Sequence, residues 1–146
     1  METATSSTVV TFESRLRSAT IVHWAIFGSA ILFIAMAEMI GPRVKTIERA
    51  DMFVLVFGFF AALNAAVAFF AHRQFVARSE EILRANPHDP VAAQRWLQGH
   101  ILAVAFCESI VLFGFVMRII GAANAIVWPF YAAGLLLMLL FTPRRP

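Results

Sequence analysis

Four stretches of the chain, at about residues 18–40, 51–72, 96–120 and 123–141, are almost free of charged residues. Each is close to the roughly 20 residues an α-helix needs to cross a hydrocarbon core of about 30 Å. Lipid offers no partner to a backbone amide, so each stretch must be helical. The breaks are readable. Gly41-Pro42 ends the first stretch and Thr142-Pro143 the fourth, while the short link at 121–124 makes the third and fourth antiparallel neighbours. The second helix should continue into water through Leu83 until Asn86-Pro87 stops it, because the residue before proline is pushed out of the helical region. Asp89-Pro90, an N-cap followed by a first-position proline, opens the third helix well before the bilayer. Two small-residue ridges, Gly58/Ala62/Ala66 and Gly99/Ala103/Cys107, predict close packing of the second and third helices. The pattern predicts an all-α integral membrane protein, a four-transmembrane-helix bundle. It has a polar N-tail at 1–17, a membrane domain at 18–141 and a short tail at 142–146.

Composition agrees with that pattern. Of 146 residues, 60% are hydrophobic and 14% charged, with fifteen phenylalanines, more apolar surface than one soluble domain can hide. The net charge of +3 is small, and its placement matters more than its size. Arg15, Arg17, Arg73, Arg78, Arg84, Arg95, Arg144 and Arg145 fall on one side, against Arg43, Lys45, Arg49 and Arg118 on the other. The positive-inside rule then puts both termini in the cytoplasm, with a bacterial inner membrane as the expected location. Trp24 and Trp96 would sit in the inner aromatic belt and Trp128 in the outer one. Val9-Val10 with Phe12 and Leu16 would lay a short helix on the membrane surface. Ala35-Met36-Ala37 imitates a signal-peptidase site, but the stretch is read as an uncleaved first span. Basic residues outside the spans read as topology signals, not as a nucleic-acid patch. A single cysteine, Cys107, excludes an internal disulfide and a multi-cysteine metal site. No nucleophile–base constellation or phosphate-binding loop is present, so neither an enzyme nor a soluble small-molecule substrate is expected.

Polar residues inside the spans form three layers. Glu108 lies roughly 18 Å below the outer end of its helix, counting 1.5 Å per residue. A carboxylate there costs several kcal/mol and needs a reason. Asn64 and Ser29 have similar depth, so Glu108, Asn64 and Ser29 are the candidate proton-binding site; hydrocarbon favours the neutral acid. The other reading makes Glu108 packing glue, hydrogen-bonded to Asn64. Nearer the outer face, Glu38 and Arg118 can form a structural ion pair. Nearer the cytoplasm, His23, His72 and His100 share one depth. They could ligate a b-type haem or a metal ion, relay protons, or simply sit in the headgroup region. No cofactor is otherwise expected.

Ile31-Leu32-x-x-Ala35-x-x-Glu38-x-Ile40 recurs as Ile101-Leu102-x-x-Ala105-x-x-Glu108-x-Ile110, which would make each half of the chain one duplicated helical hairpin. The run Glu108-Ser109-Ile110-Val111-Leu112-Phe113-Gly114-Phe115-Val116 resembles the carboxylate helix of the F-type ATP synthase c subunit. The resemblance implies a proteolipid whose glutamate, here Glu108, takes up and releases a proton as a rotor turns. It places Arg84-Ala85-Asn86-Pro87 at the family's cytoplasmic turn and gives Asn64 the role of an assisting amide. The partners it implies are the lipid bilayer and other membrane subunits or further copies of this chain. A catalytically silent accessory subunit and a haem-binding electron-transfer subunit are the alternatives.

Overall fold

The computed structural model describes residues 12–41 and 50–144. The surface helix expected at Val9-Val10, the charges Arg43, Lys45 and Arg49, and Arg145 lie outside the described residues. The described chain is helical, without strands: α1 (Phe12–Ile40), α2 (Ala50–Ala71), a π-helical segment (His72–Ala77), α3 (Arg78–Ala85), α4 (Pro90–Ile119) and α5 (Asn124–Leu140). α2, the π segment and α3 form one continuous rod, so four rods make the bundle.

Three helices are long and apolar enough to cross a membrane: Glu13–Ile40, Met52–Ala85 and Pro90–Ile119. α5 is apolar but only 17 residues long, about 25 Å of helix.

Local chemistry sets the boundaries. Asp89 Oδ1 accepts hydrogen bonds from the Val91 and Ala92 amides at 2.9 and 3.0 Å, with Pro90 opening α4. At the other end of α4, Gly121 takes φ 90°, a left-handed conformation in which a side chain would be strained. The Ala122 amide then reaches the Met117 carbonyl at 2.9 Å and the Gly121 amide that of Arg118 at 3.1 Å. This Schellman turn satisfies the last carbonyls of α4 and reverses the chain into α5.

α4 is the hub. Of its apolar window 44% is buried, against 17% for α1 and 6% for the α2 rod, because all three other rods pack on it. α1 runs parallel to α4, while α2 and α5 run antiparallel to it. α5 lies closest: a Cβ on Gly134 would stand 3.0 Å from the Cys107 carbonyl and 3.1 Å from the Val111 amide. The π segment presses on α4 at Gly99, where a Cβ would run into the Phe75 Cβ and stand 3.3 Å from the Phe75 backbone.

Several expectations need correction. α4 and α5 form a packed hairpin, whereas α1 and α2 make no comparable contact among the described residues, so the two halves are not packed alike. The ridge Gly58/Ala62/Ala66 turns outward: nothing lies within 4 Å of a Cβ built on Gly58, and Ala62 and Ala66 are exposed. The face of α2 toward α4 carries Phe57 and Ala68 instead. α1 takes in residues 12–17, because Leu16 packs onto a second core of Ala19, Val76, Leu83, Ala92, Ala93 and Trp96 at the arginine-rich end. Trp96 belongs to that core and not to a lipid-facing belt; its indole N–H donates to Glu80 Oε1 at 3.3 Å. Trp24 and Trp128 are exposed on the bundle surface.

Candidate functional site

Parallel helices keep a constant register along their seam. Ser29 on α1 meets Glu108 on α4 across 79 residues, and Glu38 meets Arg118 across 80. At the arginine-rich end the Arg15 guanidinium donates to Gln94 Oε1, again across 79 residues. His23 faces His100 in the same seam, with ring centroids 6.1 Å apart. Arg15, Ser29 and Glu38 of α1 therefore each find a hydrogen-bond partner on α4, while His23 meets His100 only ring to ring. Between these layers the seam is apolar, filled by Ala30, Ala37 and Val104, with Phe33 edge-on to Phe115.

Ser29 and Glu108 form the middle layer. Ser29 Oγ lies in hydrogen-bond range of both Glu108 Oε1 and the Ile26 carbonyl, the latter at 2.8 Å. A hydroxyl has one proton, so it cannot donate to both. If it donates to Ile26, Glu108 must carry a proton and donate it to Oγ. If Glu108 is ionised, Ser29 turns its proton to the carboxylate and gives up Ile26. Either protonation state of Glu108 keeps a hydrogen bond, at the cost of one rotation about a C–O bond.

Glu108 is half-buried. Its Oε2 has no partner among the described residues and is not among the enclosed polar atoms. It sits at the edge of the α1 seam, bordering the exposed flank of α4 that carries Leu102, Ala105 and Val116. Asn64 is not there. The α2-facing side of α4 is marked by Phe113, which contacts Phe57 and Phe60. Five residues separate Glu108 from Phe113, a rotation of about 140°. α4 itself therefore stands between Glu108 and α2, and no hydrogen bond joins Asn64 to Glu108. Depth was readable in the sequence; azimuth was not.

Near the outer end, Arg118 Nη2 lies 3.2 Å from Glu38 Oε2, and Arg118 Nη1 donates to the Ala122 carbonyl at 3.4 Å. The guanidinium passes over Gly41, where a Cβ would stand 2.5 Å from Nε. Glu38 Oε1, Arg118 Nε and the Tyr131 hydroxyl are enclosed without partners among the described residues. Tyr131 lies against Gly114, where a Cβ would stand 2.7 Å from Cε1. The signal for this contact was the glycine in the run resembling the c subunit, a position where a side chain has no room.

The three histidines do converge. His100 is central, with His23 at 6.1 Å and His72 at 6.4 Å between centroids. Trp96 stacks on His100 at 5.3 Å, and Phe141 stacks on His72 at 4.8 Å. Neither nitrogen of His23 has a hydrogen-bond partner among the described residues, and the Phe141 backbone approaches His100 without reaching hydrogen-bond geometry. His23 and His100 are 1% and 3% exposed, so a porphyrin could reach them only by displacing packed side chains. Among the described residues no group of three His, Cys, Asp or Glu side chains is set to hold a metal ion.

Three helices long and apolar enough to cross a membrane, in an all-helical bundle with partly buried polar pairs along one seam, define a helical membrane protein. The chain matches no protein-family model, no curated protein and no solved structure.

Proposed function

We propose that this chain is a proton-binding subunit of an oligomeric or larger energy-transducing membrane complex, similar in principle to an ATP synthase c subunit, with Glu108 as the proton carrier. The observation that carries this reading is the Ser29 hydroxyl, placed in hydrogen-bond range of both Glu108 Oε1 and the Ile26 carbonyl. The Glu108–Ser29–Ile26 chain has a hydrogen-bonded arrangement with the acid neutral and another with it ionised. The position of Glu108 supports the same reading: a carboxyl at the edge of an exposed helix flank can be reached by a neighbouring subunit. In this proposal α5 is a fourth, short span, both termini lie on the arginine-rich cytoplasmic side, and the membrane is a bacterial inner membrane. The test is labelling with dicyclohexylcarbodiimide near pH 8, which modifies a protonated carboxyl in an apolar setting. Selective labelling of Glu108 that disappears in Glu108→Gln is expected. A Glu108 that stays unlabelled under those conditions refutes proton carriage.

The accessory reading has its own support in the register of Arg15–Gln94, Ser29–Glu108 and Glu38–Arg118, a set of polar contacts suited to locking α1 onto α4. Under that reading Glu108→Gln leaves proton flux through the complex unchanged and lowers assembly or thermal stability.

A further inference from the structure

The α2 rod changes character where its apolar run ends at Phe69-Phe70-Ala71 and the π segment begins. There a groove of about 590 Å³ opens between the rod and α4, lined by Phe70, Gln74, Phe75, Arg78, Ile82 and Arg95 among others. Phe70, Phe75 and Ile82 are large apolar side chains left exposed. Arg78 and Arg95 are exposed too, and neither makes a hydrogen bond or ion pair among the described residues. No carboxylate lines this groove. The adjoining groove around Arg73 shares Phe70, Gln74 and Arg78 with this one and has Glu81 in its wall, whereas Arg95 belongs only to the groove without a carboxylate. Arg84 differs from Arg95, since Glu80 lies 3.9 Å from it.

We infer that this groove binds an anionic phospholipid, its phosphate held between Arg78 and Arg95 and the start of its acyl chains laid over Phe70 and Phe75. Water could cover the two guanidinium groups but not the aromatic rings, and hydrocarbon could cover the rings but not the charges. A phospholipid supplies both at the depth where a span meets the headgroups. Arginine binds phosphate oxygens in bidentate fashion, and an anionic headgroup adds no cation to oppose the pair. The inference needs the chain to lie in a membrane but does not depend on proton carriage by Glu108.

The test uses the full-length protein in detergent and follows its melting temperature. Added phosphatidylglycerol should raise it by several degrees, whereas phosphatidylcholine or inorganic phosphate should not. Arg73→Gln/Arg84→Gln, which removes the same two charges outside the groove, should respond like the wild type. Arg78→Gln/Arg95→Gln should bind phosphatidylglycerol roughly thirtyfold more weakly, two arginines at about fivefold each. An equal response to phosphatidylcholine, a response to inorganic phosphate alone, or a full response in the double variant overturns the inference. Should the double variant not fold, native mass spectrometry of Arg95→Gln decides. Fewer retained phosphatidylglycerol molecules than in wild type support the site, and an equal number removes it.

Discussion

Gly58 and Gly134 are both glycines inside apolar helices, and the same substitution should move stability in opposite directions at the two. In a helix interior alanine is favoured over glycine by about 1 kcal/mol, since glycine loses more backbone freedom. At Gly58 nothing lies within 4 Å of the added Cβ, so Gly58→Ala should keep up to about 1 kcal/mol of that gain. At Gly134 the Cβ would meet Val111 Cγ2 at 2.5 Å, the Cys107 carbonyl oxygen at 3.0 Å and the Val111 amide at 3.1 Å. A valine rotamer can yield, but the two backbone atoms cannot, so α5 must lift from α4. Overpacking of this kind costs about 1–3 kcal/mol, which outweighs the propensity gain. The two variants should therefore differ by about 1–3 kcal/mol, with Gly134→Ala the less stable. At roughly 3 °C per kcal/mol, thermal unfolding in one detergent should separate them by about 3–9 °C. Equal shifts, or a more stable Gly134→Ala, would show that α5 does not press on α4 at that point.

Three further outcomes are expected. Ser29→Ala removes one arm of the proton-sharing chain and should cost about 0.5–2 kcal/mol of stability in detergent unfolding, while slowing carbodiimide labelling of Glu108 or changing its pH profile. Arg118→Met leaves Glu38 without its partner. The Arg118 side chain is 11% exposed but Glu38 is 30% exposed, so solvent screens part of the loss, and about 1–3 kcal/mol is expected. The double variant with Glu38→Gln should recover part of that loss, as a double-mutant cycle would show. Asp89→Ala removes the side-chain cap of α4 and should cost about 1 kcal/mol, measurable by chemical denaturation; Asp89→Ser should recover most of it.

The chain itself determines where helices begin and end. Hydropathy run length and cap chemistry are local properties, so the Asp89-Pro90 start, the Asn86-Pro87 stop and the Gly121 turn could be read residue by residue. Depth along each helix is equally local, and Glu38 and Arg118, Ser29 and Glu108, and the three histidines do meet at matching levels. Rotation about each helix axis is another matter. In a soluble helix the polar face marks the outside, but in lipid both faces are apolar and that contrast vanishes. The tertiary structure alone decided that α4 is the hub, that Glu108 turns to Ser29 and away from Asn64, and that Gly134 and not Gly58 admits a neighbour. Those choices follow from which side chains interlock across the seams, which no single stretch of sequence contains.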